Sequence, residues 1–254
     1  MESLVMIRLG TARVVLALLA VLLVLPEQAQ AVINFSKSRF IYPASEKSLT
    51  IELKNGGVED TLVQAWIDTG DVTASPSSVK APFLITPPMF VMKGGTEKSM
   101  SLLFVGPSLP ADRESLFWLN VLGISKEAGK TVGVEPARVK VAYRNRVKVL
   151  YRPDKLEGTL ETAVNGLMWS AVKVDKKLVV RAKNSSPYNI TVPQAILRVG
   201  EKEYTGPEVK VIPPFGVMDF EMSGLNSKPM EGGEVDCRWI DDFGIFRQQK
   251  FKLK

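Results

Sequence analysis

From residue 32 to the C terminus the chain keeps returning to one local pattern: short runs in which apolar and polar side chains alternate, broken by Gly, Pro, Asn or Asp. Ser48-Leu49-Thr50-Ile51-Glu52-Leu53-Lys54 is one such run, and it stops at Asn55-Gly56-Gly57. Alternation at period two sends successive side chains to opposite faces of an extended backbone, so each run predicts a strand with one buried and one wet face. Comparable runs cover residues 39–42, 62–68, 83–86, 89–92, 97–105, 116–122 and 138–151. Beyond residue 31 no ten-residue window carries an apolar stripe at helical spacing with caps at its ends. Helix bundles and helix-covered parallel sheets are thereby excluded, and the close spacing of strands and turns predicts an all-β, Ig-like sandwich of about 120 residues.

The pattern is interrupted once. The long run that ends at Tyr151-Arg152 meets Pro153, which cannot donate to a sheet ladder, and residues 154–158 lead into new material. Alternating runs then resume at residues 168–174, 177–183, 190–199, 217–222, 234–240 and 246–253, punctuated by Asn184-Ser185-Ser186-Pro187 and Pro213-Pro214-Phe215-Gly216. The expectation is two Ig-like β-sandwich domains, 32–153 and 154–254, set at an angle with a cleft between them. Residues 1–31 stand apart. Arg8 and Arg13 precede an uncharged apolar stretch from Val14 to Leu25, and Ala29-Gln30-Ala31 offers small residues for cleavage, the pattern of a secretory signal peptide. The stretch falls short of the roughly 20 apolar residues that a membrane span needs, so the mature chain is expected to be soluble and outside the cytoplasm.

Composition narrows the chemistry. The chain has 1 Cys and 0 His, which closes Ser-His-Asp and Cys-His relays and the familiar zinc sites. Asp241-Asp242 and Glu59-Asp60 are paired acids, but neighbours on a strand point to opposite faces, and such pairs read first as solvated turns. Gly94-Gly95 and Gly232-Gly233 lie between strands, outside the strand-to-helix context of a phosphate loop. No enzymatic activity, metal or cofactor is expected. Lys and Arg outnumber Asp and Glu by 33 to 27, for a net charge of +6. These cations are dispersed, without interleaved stacking aromatics, so nucleic acid is not an expected partner. The densest cluster, Arg144-Asn145-Arg146-Val147-Lys148, reads first as the solvated face of a strand and second as an anion site.

The least ordinary segment is residues 137–153, ARVKVAYRNRVKVLYRP, where Val139, Val141 and Tyr143 share one face and Arg138, Lys140 and Ala142 the other. Such alternation usually packs a strand into its own core. A run this long, however, exceeds the modal strand of about 5–6 residues, so part of it should project beyond its sheet. A projecting apolar edge is an aggregation hazard unless another chain pairs with it.

Several blocks, taken in order, carry a resemblance to the PapD-like periplasmic pilus chaperones of the chaperone–usher pathway. Ser38-Arg39-Phe40-Ile41-Tyr42 with residues 45–50 resembles the family's first two strands, and Pro82-Phe83-Leu84-Ile85-Thr86-Pro87-Pro88-Met89-Phe90 is similar to its PFxVTPP segment. Asp112-Arg113-Glu114-Ser115-Leu116-Phe117-Trp118-Leu119-Asn120 resembles the DRESLFWLN signature, and Lys148-Val149-Leu150-Tyr151-Arg152-Pro153 the KLFYRP block. In the second half, residues 184–188, 211–215 and 240–244 resemble the NxTPYY, MxxPF and INDYG blocks.

What the resemblance implies is specific. Arg39 and Lys148 would be paired cations in the cleft that grip the C-terminal carboxylate of a pilus subunit, through charge-assisted hydrogen bonds of roughly 1.5–3 kcal/mol each. Val139, Val141 and Tyr143, in the strand near 137–150, would be donor residues that complete the subunit's strand-deficient Ig fold by strand addition. Burying three such side chains yields roughly 5–9 kcal/mol before the costs of association, so the strand would supply much of the affinity and the cations the register. Glu114, Arg152 and Asp242 would form an ion network joining the domains, and Thr86-Pro87-Pro88 could hold a cis peptide. The partners implied are pilus subunits and an outer-membrane usher, in the periplasm, with a self-capping dimer as a device for covering the free edge. Lone Cys237 departs from relatives with a disulfide, and residues 126–130 form a charged loop in a somewhat lengthened connection. A structural pilus subunit or two-domain adhesin is the alternative. It would need a longer apolar N-terminal extension than Val32-Ile33-Asn34-Phe35 and usually a disulfide. A carbohydrate enzyme would require turnover that depends on a carboxylate.

Overall fold

The computed structural model describes residues 33–78, 81–125, 142–175, 177–206, 208–225 and 232–254. In the first half these form β1 (Ile33–Phe35), β2 (Arg39–Pro43), β3 (Ser48–Asn55), β4 (Thr61–Asp68), β5 (Phe83–Thr86), β6 (Met89–Met92), β7 (Glu97–Phe104), β8 (Ser115–Ser125) and β9 (Ala142–Arg152). Two sheets result, in the orders β1-β3-β7-β5 and β2-β9-β8-β4-β6. Between them lies a core that includes Ile51, Leu53, Val63, Met92, Leu102, Leu119 and Val149. The alternation in β3 does what its sequence implies: Ile51 and Leu53 are buried, while Thr50, Glu52 and Lys54 are exposed. Tyr42, Phe83, Phe104, Phe117 and Tyr151 close one end of this core as contacting rings, and the Tyr42 hydroxyl accepts a hydrogen bond from the Phe104 amide at 3.1 Å. The Thr86–Pro87 peptide is cis.

The second half contains α1 (Leu160–Asn165), β10 (Met168–Val174), β11 (Lys177–Lys183), β12 (Ile190–Val192), β13 (Gln194–Val199), β14 (Lys202–Gly206), β15 (Lys210–Ile212), β16 (Val217–Phe220), β17 (Glu234–Ile240) and β18 (Phe246–Lys252). Its sheets run β10-β11-β16, β12-β15 and β14-β13-β17-β18. Trp169, Ile190, Leu197, Phe220, Val235 and Cys237 are central to a separate core. The fold is thus two Ig-like β-sandwich domains. Cys237 is fully buried, and burial, with Asp236 adding, pushes its thiol up to about 12. It therefore acts as a small core hydrophobe.

One expectation needs correction. Residues 190–199 are not one strand: β12 pairs with β15, whereas β13 pairs with β14 and β17. Pro193 separates them, because a residue without an N–H cannot continue a ladder and marks the point where the chain changes sheets. The short elements β1, β14, β15 and α1 carry too few residues to show a period. In α1, Thr159 caps the helix and exchanges hydrogen bonds with Thr162. Among the described residues no helix is long and apolar enough to cross a membrane.

Candidate functional site

The β2–β9 pair is parallel, and its register sets Arg39 directly beside Lys148. On the other side of β9, β8 opposes Lys148 with Trp118, and the Lys148 Nζ lies 4.7 Å from the Trp118 ring centroid. Arg39 is 3% exposed. Its Nη1 donates to the Ile240 carbonyl at 3.0 Å, and its buried Nε has no partner. Neither cation forms an ion pair with a described residue. Burial pulls the Lys148 ammonium down to about 8, and the positive charges of Arg39 and Arg146 act in the same direction. Burial likewise lowers Arg39, against the pull of Asp242, Asp241 and Glu114. Two desolvated positive charges side by side, one with an unused donor, favour an anion that can accept from both.

Strand β9 ends this cation pair at one side of an open edge. Pairing with β2 covers only Lys148 to Arg152. From Ala142 to Val147, β9 is paired with β8 on one side, and no described strand pairs with the other. Asn145 reaches across that margin to donate to the Ile33 carbonyl. Along the same face of β9, Val149 is fully buried, Val147 packs on the rim of the core, and Tyr143 is 40% exposed. The core-facing side of the strand therefore runs out of core before the strand ends. Val139 and Val141 lie outside the described residues.

Glu114, Arg152 and Asp242 meet where the halves touch. Arg152 Nε donates to Glu114 Oε1 at 2.6 Å, while Nη1 and Nη2 donate to Asp242 Oδ2 and Oδ1 at 2.6 and 2.8 Å. The second Glu114 oxygen accepts from the Asn189 amide at 2.8 Å, and the Glu114 amide donates to the Pro187 carbonyl at 2.9 Å. Burial lowers the Arg152 guanidinium, but Asp242 and Glu114 outweigh it and hold the group above its ordinary value. Burial raises Glu114 despite the opposing pull of Arg152. Asp242 is presented by a turn in which Asp241 Oδ1 accepts from the Phe243 and Ile245 amides at 3.0 and 2.9 Å. Gly244 has φ +85° there, and a Cβ would stand 2.4 Å from Ser38 Oγ, so backbone angle and contact both select glycine. The paired acids Asp241 and Asp242 are therefore engaged groups, contrary to their first reading as a solvated turn.

The basic cluster also departs from its first reading. Arg146 donates to Asp68 Oδ2 from Nε at 3.1 Å and to Oδ1 from Nη2 at 2.5 Å. Asn120 Nδ2 donates to Asp68 Oδ2 at 2.7 Å, and Arg144 Nε and Nη2 donate to Asn120 Oδ1 at 2.9 and 2.7 Å. The guanidiniums of Arg144 and Arg146 lie over Trp66 and Trp118, 4.8 and 4.1 Å from the ring centroids. Trp66 and Asp68 lie on β4 and Trp118 and Asn120 on β8, so no local pattern in the sequence joins them to the cations of β9. The legible signal was cations at alternate positions 144, 146 and 148, which share one strand face. Among the described residues no group of three or more His, Cys, Asp or Glu is placed to hold a metal ion.

Residues 32–157 match the family model described as the pili and flagellar-assembly chaperone PapD N-terminal domain, and residues 162–251 match that of the pili assembly chaperone PapD C-terminal domain. The probable fimbrial chaperone YadV of Escherichia coli K12 is 35% identical over 213 residues, covering 84% of this chain and 86% of YadV. Chaperone protein FimB/FhaD of Bordetella pertussis is 32% identical over 243 residues, 93% of each chain. The crystal structure of the YadV chaperone matches with a TM-score of 0.74 and 32% identity, over 88% of this chain and 100% of that one. The CupB2 chaperone of Pseudomonas aeruginosa matches with a TM-score of 0.72 and 26% identity, over 87% and 100%. With both of its sandwiches matched and relatives of this identity along most of its length, the chain belongs to the PapD family of pilus-assembly chaperones.

Proposed function

We propose that this chaperone holds a pilus subunit by adding β9 and the segment before it to the subunit's incomplete sheet, with Arg39 and Lys148 receiving the carboxylate at the subunit's C terminus. The observation that carries this reading is the conjunction at Lys148: an unneutralised pair of cations, Arg39 buried and Lys148 half-buried, stands where the open edge of β9 ends. Direction follows from geometry. Strand β9 runs from Ala142 toward Arg152, so a strand lying on the open edge with its C terminus at Lys148 runs parallel to β9, in line with β2. Main-chain pairing gives affinity, and Tyr143, with Val139 and Val141 before it, supplies side chains for the subunit's core. Glu114, Arg152 and Asp242 fix the two domains, 32–153 and 154–254, around the cleft.

On this reading residues 1–31 direct export and are removed, the protein works in the periplasm, and the loaded chaperone passes its subunit to an outer-membrane usher. The unloaded edge is covered by self-association. The role is binding, without catalysis, as family membership implies. Arg39→Ala and Lys148→Ala are each expected to lower recovery of a co-expressed subunit at least tenfold, with circular dichroism and thermal unfolding unchanged or improved. Undiminished recovery from both variants discards the carboxylate anchor. Incorporation of the chain itself into purified fibres would instead support the subunit or adhesin alternative.

A further inference from the structure

A lysine stem is flexible, and an ammonium close to a buried acid ordinarily folds onto it. The acid on the same sheet face as Lys148 is Asp68 of β4, which opposes Trp118 as Trp118 opposes Lys148. The Asp68 side chain is 1% exposed and already engaged. It accepts both Arg146 bonds, the Asn120 amide, and the Gly70 backbone amide at 2.7 Å. What meets Lys148 instead is an aromatic face: its Nζ and the Arg146 guanidinium lie 4.7 and 4.1 Å from the centroid of the same Trp118 ring. A ring face attracts a cation through its quadrupole without neutralising it.

We propose that Trp118 is a positioning residue for Lys148: its indole face, shared with an Arg146 that Asp68 holds in place, aims the ammonium at an incoming carboxylate while leaving its charge unpaired. The inference rests on the reading that Lys148 meets a carboxylate. Asp68 keeps its own charge occupied, so it does not compete for Lys148. The charged groups that bear on the ammonium are Arg39 from β2, Arg146 from β9 and Asp68 from β4. The two positive ones, with the water-excluding indole, make the site strained while empty and favourable once an anion arrives.

The test uses the mature full chain and two synthetic probes, an extended peptide of alternating valines with a free C-terminal carboxylate and the same peptide as its amide. The wild type should prefer the carboxylate form. Trp118→Leu should lose roughly three- to tenfold of that preference, with binding of the amide unchanged, while Trp118→Phe keeps most of it. If Leu is not tolerated, the series Trp, Tyr, Phe should lower the acid-to-amide ratio progressively, and a flat series overturns the proposal. In parallel, NMR titration of the Lys148 side chain should show its midpoint falling in Trp118→Leu, where the ring's attraction for the cation is lost, and rising in the double variant Asp68→Asn, Arg146→Gln, which removes the neighbouring positive charge together with the acid that holds it. An acid-to-amide ratio in Trp118→Leu equal to the wild type's, or a Lys148 titration that neither change moves, overturns the platform. Should the wild type bind acid and amide alike, the carboxylate reading fails, and the titration still decides the platform by itself.

Discussion

Lys148 brings a positive charge into a place that disfavours it, and its behaviour with pH follows from that. Its amine, lowered to about 8 in the folded chain, returns to about 10.4 when the chain unfolds. Below pH 8 both states hold the proton and the full cost of the buried charge falls on the native state. Between about 8 and 10.4 the unfolded state binds more protons, so stability rises with pH across that window. Lys148→Met is therefore expected to stabilise the free chaperone at pH 7 by about 1–2 kcal/mol, after discounting for partial solvent screening, and the gain should vanish above pH 10.4. Urea denaturation at the two pH values checks it, and a Met variant less stable at pH 7 sinks the idea. The same shift predicts a binding profile. Carboxylate-terminated peptide should bind about equally from pH 6 to 7.5 and lose close to tenfold per pH unit above 8, whereas its amide should show no such fall.

At the scale of elements, β9 is one strand with two environments. Its half from Lys148 to Tyr151 is covered on both edges, while its half from Ala142 to Val147 is covered on one. Tyr143, on the open half, is expected to be dispensable for folding. Tyr143→Asp should leave the thermal midpoint within about 2 °C yet abolish co-purification of a subunit, whereas Val149→Asp, in the core, should prevent folding. A large loss of stability in Tyr143→Asp would place that side chain in this domain's own core. The sequence made β3 and β7 legible because half-buried strands carry a period, and period is a local property. It did not make the break at Pro193 or the short β1, β14 and β15 legible, since their partners, not their composition, define them. The site divides in the same way. Lys148 and Arg39 could be paired only through blocks that resemble a family, because no local rule brings β2 beside β9 in parallel. The parts played by Asp68 and Trp118 were not legible, because a buried acid or indole on a strand looks like any exposed one until its neighbouring strands are known.

For the whole molecule, the joint between domains depends on a group poised to titrate early. Burial raises Glu114 above the ordinary glutamate value of about 4.3, whereas Asp68, Asp219 and Asp241 are held below that of aspartate, about 3.9, by their arginine, asparagine and backbone donors, against burial where they are enclosed. The depressed carboxylates contribute stability that is full above about pH 3.9 and is lost as pH falls through their lower folded values. Glu114 takes up its proton first, above pH 4.3, and Arg152 then keeps Asp242 alone. Because the joined chain binds the Glu114 proton more tightly than an exposed glutamate does, acidification through that window favours the joint, and interdomain spin-label distances should stay narrow until near-ultraviolet circular dichroism collapses. Arg152→Ala should give broadened distances already at pH 7, and wild-type distances that broaden before the circular dichroism changes argue against this sign. Two antiparallel strands are kept in step by the hairpin that joins them, but a strand arriving from another protein, parallel to β9, has no hairpin, and a slip of one residue would turn every side chain the wrong way. Strand β2 begins at Arg39, where the open edge stops. On the proposed reading, the start of one strand is thus a wall against which another chain's last residue comes to rest, and the guest is measured from its end with no need to read what it spells.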